Sequence, residues 1–397
     1  MAAVALLVSP AVVRLGGSSS DVPFPQAQKP RTYVFIVNPE GGSGKTLKRW
    51  KAMKPLLQRS LGEEVTVREA LTEYPFHAAE LAREAVEQGA DAVVAVGGDG
   101  TLHEVVNGFF SNGQPVIPRA ALVRQEGAEQ QRGSEGEEQQ SEAGRECSDD
   151  DKPRGTERNG CEGTHAVSRR PALGVIPLGT GSDFARTFGW RSDDANAAVA
   201  RIARGHRQAI DVGRVQLRDC GVDQCFVNVA DVHLSARVGR AAVPLKSSFG
   251  SLCYAIATLK AFPKHRNLDL SIRIDNGPWQ TLPAATMLAI GNANFFGGGM
   301  RICPQASPSS GSFNVVTLSG FRLLDFVQRG WRLFAGSHIG VKGVESYSAK
   351  LIEIKVAAAE GDSKEVSQEV YVQGDGEALG HLPAVFQILP GAIDILV

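Results

Sequence analysis

Asp91-Ala92-Val93-Val94-Ala95-Val96-Gly97-Gly98-Asp99-Gly100-Thr101 is the stretch whose reading decides the fold. An apolar, β-branched run that stops at glycines around a carboxylate reads as a buried parallel strand ending in an anion-binding turn. Leu102-His103-Glu104-Val105-Val106-Asn107-Gly108-Phe109-Phe110 follows with helical apolar spacing, so the N–H groups of a helix start would point into the turn. A purely structural glycine-rich turn would carry the same local sequence. The flanking chain decides between the two.

On the N-terminal side, Tyr33–Val37 is a first buried strand. It runs into Asn38-Pro39-Glu40-Gly41-Gly42-Ser43-Gly44-Lys45-Thr46. The loop looks like a Walker P-loop, but Pro39 stands where that motif needs glycine, six places before Lys45. What remains is an Asn-Pro turn, a Gly/Ser loop and a helix from Thr46 to Gln58. A second strand, Glu64–Ala70, leads through Thr72-Glu73-Tyr74-Pro75 into a helix with Ala78, Leu81, Ala82 and Ala85 on one face. Three strands separated by two helices predict a parallel βαβαβ unit, whose ligands bind beyond the carboxyl ends of the strands.

On the C-terminal side, Ala172–Pro177 predicts a fourth strand. It empties into Leu178-Gly179-Thr180-Gly181-Ser182-Asp183-Phe184-Ala185-Arg186, with Ser182 or Asp183 as the N-cap of the next helix. Asp194–Gly205 reads as an amphipathic helix, and Gln208–Gly213 begins a strand leaving the domain. After about residue 214 the pattern changes to short alternating strands: Leu268–Asp275, Ala285–Ile290, Phe313–Leu318, Leu351–Val356, Glu369–Val372 and Phe386–Leu389. One helix is expected near Leu245–Phe262. The predicted fold class is therefore α/β, a Rossmann-like nucleotide domain over 31–213 followed by an antiparallel β-sandwich domain over 214–397.

Length and composition agree. At 397 residues the chain exceeds what one core usually serves. It carries 42 basic against 43 acidic residues, so no global field argues for nucleic acid. Six cysteines show no paired CxxC spacing, which argues against zinc and for reduced thiols. No stretch approaches the roughly 20 apolar residues a bilayer span needs, so lipid would be met at the surface or in a pocket. Residues 1–30 are apolar, then Arg- and Ser-containing and poor in acids. They loosely match an organelle transit segment, a mitochondrial one included; the alternative is a disordered tail on a cytoplasmic, membrane-associated protein. From Arg124 to Ala166 no Ile, Leu, Val, Met, Phe, Tyr or Trp occurs, so 119–170 is expected to be a disordered insertion.

Taken in order, these motifs resemble the diacylglycerol kinase catalytic-domain superfamily, which includes sphingosine and ceramide kinases and bacterial lipid kinases. The matching stretches are Asn38-Pro39 with its loop, Gly97–Thr101, Pro177–Arg186, Phe226-Val227-Asn228-Val229-Ala230, Gly297–Pro304 and Gly374-Asp375-Gly376-Glu377. In overall texture the chain looks most like plant sphingoid long-chain base kinases. The fold implied resembles that of NAD kinase and phosphofructokinase. The resemblance implies ATP on the first domain, a lipid in the interdomain cleft, and phosphoryl transfer to a lipid hydroxyl. Asn38, Thr72, Gly97, Gly98, Asp99, Gly100, Thr101, Leu102, His103, Gly179 and Thr180 would line the nucleotide. Glu377 or Asp99 would be the catalytic base, with Glu377 favoured and Asp99 near Mg²⁺. The last segments of the second domain would return to the cleft.

Bacterial relatives hold a structural magnesium with an aspartate in an Asp-Gly turn, and here Ser310 precedes Gly311. The site would fall on Ser307, Ser310 and Ser312, and a neutral hydroxyl is a poor ligand for a hard dication.

After Phe226–Ala230, diacylglycerol kinases of the superfamily tend to carry glycines, whereas this chain has Asp231-Val232-His233, similar to sphingosine kinases. Asp231, with Asp183, is the candidate substrate contact, because a carboxylate rewards the ammonium of a sphingoid base and not diacylglycerol. The expected activity is phosphorylation of the primary hydroxyl of a sphingoid long-chain base. A diacylglycerol or ceramide kinase is the alternative, and a lipid-binding pseudokinase the non-enzymatic one. Leu245, Phe249, Leu252, Tyr254, Ile256 and Leu259 would line an alkyl channel or form plain core. Peripheral membrane contact is expected, and a homodimer is allowed.

Overall fold

The computed structural model describes residues 31–119, 170–245, 253–357 and 370–397. Segment 1–30, the insertion 119–170 apart from its end residues, and positions 246–252 and 358–369 lie outside the described residues. Phe249, Leu252 and Glu369 of the sequence reading fall there.

The first half is built on strands β1 (Arg31–Val37), β2 (Val65–Leu71) and β3 (Ala92–Gly97), with a small ribbon of β4 (Phe110–Ser111) and β5 (Gln114–Pro115), and then β6 (Ala172–Pro177). β6, β3, β1 and β2 lie side by side in that order, all parallel. Every residue of β3 and β6 is buried, which is why these strands are continuous apolar runs. The pleat sends alternate residues to opposite faces. Phe35, Val37, Val94, Val96 and Ile176 meet α1 (Thr46–Leu61) and a helix over 195–204, while Val34, Ile36, Val93, Ala95 and Val175 meet α2 (His77–Glu87) and α3 (Asp99–Gly108). Trp50 of α1 is fully buried against Phe35, ring centroids 5.1 Å apart.

Two helix boundaries differ from the sequence expectation. α3 begins at Asp99 rather than Leu102, so the glycine turn is itself the first helical turn. α1 continues through Pro55 to Leu61 instead of ending at Gln58. α4 (Asp183–Thr187) starts after Ser182, whose left-handed backbone (φ 51°) occupies the N-cap without a side-chain cap. α5 (Ala195–Arg204) starts where Asp194 accepts a hydrogen bond from Ala197 N–H at 2.8 Å and ends at left-handed Gly205.

The second half is antiparallel: β7 (Arg207–Leu217), β8 (Val222–Phe226), β9 (Val229–His233), β10 (Leu268–Ile274), β11 (Gln280–Gly291), β12 (Phe313–Ser319), β13 (Val344–Ala349), β14 (Leu351–Val356), β15 (Tyr371–Gly374), β16 (Glu377–His381) and β17 (Ala384–Leu396). β11 pairs with β10 early and then, after a register shift, with β9 on one side and β12 on the other. The strands thereby split into two facing layers, β8-β7-β17-β14-β10 and β16-β15-β9-β11-β12-β13. Val215, Leu270, Ile354 and Phe386 from the first meet Ala230, Leu288, Ile290, Phe313 and Val372 from the second, forming a sandwich core. The helix expected over 245–262 is described as α7 (Cys253–Ala261). Three helices were not anticipated: α6 (Leu234–Ala242), α8 (Leu323–Arg329) and α9 (Trp331–Ala335). β17 is also far longer than the expected Phe386–Leu389.

Replacing Trp50 by alanine leaves a large cavity between α1 and the sheet. Urea unfolding should show a loss of about 3–5 kcal/mol, and a loss below about 1 kcal/mol would mean that α1 is not anchored there.

Candidate active site

The parallel strands all deliver their carboxyl ends to one edge, where three glycine turns meet. Gly98, before α3, and Gly179, after β6, approach backbone to backbone, and a β-carbon on Gly179 would collide with the Gly98 Cα. Asn38 ties the first turn to the second, its amide donating to Thr101 Oγ1 at 3.1 Å. No side chain caps α3, so its first-turn N–H groups are offered to the cleft.

Opposite these turns stands the β15–β16 hairpin. Asp375 (φ 52°) and Gly376 (φ 90°) form its two-residue turn, which requires left-handed backbone at both positions. The Asp375 carboxylate is locked by Asn228 N–H at 2.8 Å and Val227 N–H at 3.0 Å, with His103 Nδ1 3.4 Å away. Burial alone lowers the His103 pKa, but the hydrogen bond and charge of Asp375, helped by Glu377 and Gln224, outweigh it and leave it raised. The turn sets Glu377 over the start of α3, where a β-carbon on Gly100 would sit 3.0 Å from Glu377 Oε1. The Glu377 carboxylate has no hydrogen-bond partner among the described residues.

Asp99 is committed differently. Its two oxygens accept from Asp183 N–H at 3.1 Å and Phe184 N–H at 3.3 Å, so a side chain of α3 caps α4. Asp183 in turn accepts from Gly298 N–H at 2.7 Å, joining the 297–300 loop to the glycine turns. Burial, and then the charge of Asp99, push the Asp183 carboxyl up to about 7. Asp231 projects from the middle of β9, is 3 % exposed, and leaves Oδ1 without a partner. Its burial raises it to about 7 as well, against a lowering hydrogen bond from Ser235.

These groups line one cleft of about 450 Å³. Its polar end holds Asn38, Gly98, Asp99, Gly100, Thr101, Gly179, Thr180, Asp183, Asp231, Asp375 and Glu377, and among the described residues none of the lining side chains is Lys, Arg or His. Its other end is apolar, with Val229, Leu234, Val238, Tyr254, Met287, Phe296, Met300, Phe326 and Leu333. Of the residues expected to contact lipid chains, Tyr254 reaches this wall, whereas Leu259 is 55 % exposed. The rest of the wall comes from α6, β11, the 296–300 loop and α8–α9, brought together only by the fold. The spacing of Phe326 and Leu333 in an Arg-rich amphipathic stretch was the one local signal for it.

Several sequence candidates are placed outside the cleft. Thr72 continues β2, its N–H bonded to Val37 C=O at 3.0 Å. Gly97 ends β3 beneath Thr101, Leu102 is in the core, and His103 stands behind Asp375. At the 307–312 turn, Ser310 Oγ lies 2.9 Å from the carbonyl oxygens of both Ser307 and Ser312, so the hydroxyl itself holds the turn. Among the described residues no three His, Cys, Asp or Glu side chains converge as a metal site.

Comparison with known proteins agrees with this architecture. Residues 32–122 and 155–215 match the Diacylglycerol kinase catalytic domain, and 228–397 match the YegS C-terminal NAD kinase beta sandwich-like domain. A diacylglycerol kinase of Mycobacterium tuberculosis is 28 % identical over 56 % of this chain and 68 % of its own length. One from Bacillus subtilis is 24 % identical over 78 % of each. The crystal structure of a diacylglycerol kinase from Bacillus anthracis superposes with a TM-score of 0.55 at 17 % identity, covering 94 % of this chain and 98 % of that one, and so shares the fold. The chain belongs to the diacylglycerol kinase catalytic-domain superfamily, a family of lipid kinases.

Asp231 also affects stability. Its folded pKa near 7 lies above the usual 3.8, so the folded state binds the proton more tightly. Stability therefore falls as pH rises between those values. Asp231→Asn should remove about 2–4 kcal/mol of that fall, measured as the difference in unfolding free energy between pH 4.5 and about pH 7.5 for the two proteins.

Proposed function

We propose that the protein is an ATP-dependent kinase of sphingoid long-chain bases. The observation that carries this reading is Asp231: a buried carboxylate with an unpartnered oxygen, in a cleft where the lining side chains among the described residues include no cation to pair with it. An amphiphile with an ammonium beside its hydroxyl supplies that cation, while its alkyl chain fits the apolar end. The relatives bear the name diacylglycerol kinase, and a neutral acceptor of that kind is the second reading.

The same charge pattern supports nucleotide with Mg²⁺. A polyphosphate adds negative charge to a cleft already lined by Asp99, Asp183, Asp375 and Glu377, where the glycine turns offer backbone amides and Asn38, Thr101 and Thr180 neutral side chains. The residues fit the group if a dication arrives with the phosphates, and Asp99 and Asp183 are the carboxylates beside the glycine turns that would hold it. When bound, the metal neutralises charge on the transferring phosphoryl group. Gly98, Gly100 and Gly179 leave the backbone bare for phosphate oxygens. Glu377, a carboxylate with neither oxygen hydrogen-bonded among the described residues, takes the acceptor's hydroxyl proton as that oxygen bonds to the γ-phosphorus, and the β–γ bridging oxygen leaves with ADP. Asp99 positions α4 and is less available as the base, because both its oxygens already accept backbone N–H groups.

Glu377→Gln should lower kcat by about 10³-fold or more with little change in KM for either substrate. Wild-type activity in that variant would return the base role to Asp99.

Purified protein, ATP and Mg²⁺ with a sphingoid base or diacylglycerol in mixed micelles tests the acceptor. Asp231→Asn should reduce kcat/KM for the base by about 10²-fold. Wild-type KM for the base should fall as pH rises towards 8, while Asp231→Asn should lose that dependence. Preference for diacylglycerol with an indifferent variant would leave a lipid kinase with another acceptor. Phosphorylation of neither would favour a pseudokinase.

A further inference from the structure

We infer that α8 and α9 form a membrane-docking face that inserts into anionic bilayers and opens the apolar end of the cleft to lipid. Leu323 to Ala335 is almost one helix, broken only at Gly330, whose backbone stays helical (φ −57°, ψ −31°). Leu324, Val327, Trp331 and Phe334 follow at spacings of three, four and three and so share one side. All four point outward, at 63, 67, 62 and 58 % exposure. Four large apolar side chains exposed within eleven residues is a patch, not scatter. On the opposite side, Phe326 and Leu333 line the cleft. One helical segment thus separates the alkyl end of the site from the outside by its own thickness.

Charge selects the occupant. The same segment carries three arginines, Arg322, Arg329 and Arg332, against a single acid, Asp325, which lies 3.7 Å from Arg329 and caps α8, and the Arg332 guanidinium lies 5.1 Å from the centre of the Trp331 ring. Phe326 packs on Phe262 at 5.5 Å, Phe262 on His265 at 5.7 Å, and His265 on His233 at 4.4 Å. That aromatic row leads to a hollow lined by His233, Arg237, Arg240, Arg266 and Tyr371, with no carboxylate among its lining residues. An apolar stripe with a tryptophan, on a segment where arginines outnumber acids and beside a basic hollow, matches a surface of acyl chains under anionic headgroups. Among the described residues no helix is long and apolar enough to cross a membrane, so this contact is made from one side.

The use of this face rests on the lipid-kinase reading, but its membrane binding is measured without catalysis. The full chain should co-sediment with vesicles of phosphatidylcholine plus phosphatidylserine, less with phosphatidylcholine alone, and less again at high salt. Trp331 emission should shift to the blue on binding, and Trp331→Phe should lose that shift. The double variant Val327→Glu, Phe334→Glu should partition at least about tenfold more weakly, with an unchanged unfolding midpoint. It should keep wild-type kcat/KM on a short-chain, water-soluble acceptor. Equal vesicle binding by wild type and double variant, or none by wild type, overturns the inference. A dimer that the double variant dissolves without change in vesicle binding assigns the face to self-association instead. A wild type that binds vesicles but turns over no short-chain acceptor sinks the kinase reading and leaves the docking face standing.

Discussion

The pairing of β17 is the constraint on which the rest depends. Along one edge it is antiparallel to β7, from Leu396 opposite Arg207 to Val385 opposite Gln216. Along the other it is antiparallel to β14 near its start and parallel to β6 near its end. Asp394 and Ile395 thus extend the parallel sheet, while the same strand begins inside the sandwich. Buried N–H and C=O groups must find partners, and here they do so across both halves at once. The cleft between the halves is consequently held by a continuous hydrogen-bonded sheet.

That rigidity lets the site concentrate negative charge. Asp99 and Asp375 are each held by two backbone N–H groups, which stabilise a carboxylate without introducing a cation. His103 stands behind Asp375 and shares its charge from the far side of the cleft wall. Asp183 accepts from Gly298 N–H and has the Arg186 guanidinium 3.5 Å away, yet burial and the charge of Asp99 still raise it, and burial raises Asp231. The described side chains facing the cleft thus leave a surplus of carboxylates, which a cation would complement.

Polarity changes along the cleft because different elements build its two ends. Backbone-rich turns form one end, and α6, α7, α8 and α9 form the other. α6 takes part in both surroundings: Leu234 and Val238 face the cleft, while Arg237 and Arg240 face the basic hollow. An amphiphile is the ligand class such a graded cavity suits.

Much of this is legible in the sequence. β3 and β6 announce themselves because strands buried on both faces must be apolar throughout, and the glycine turns after them because only glycine lets two backbones touch. Asp231 stands out through resemblance, because it follows Phe226–Ala230 where diacylglycerol kinases tend to carry glycine and sphingosine kinases a similar aspartate. The sequence by itself determined, then, the α/β order, the position of the turns and the residue types at the polar end, since each follows from local periodicity and backbone sterics. Only the tertiary structure decided that Asp99 caps a helix more than eighty residues away, that Glu377 lies over Gly100, and that α6 and α8 wall the apolar end. Those relations depend on which distant segments share a sheet edge, and strand pairing across hundreds of residues leaves no local pattern to read.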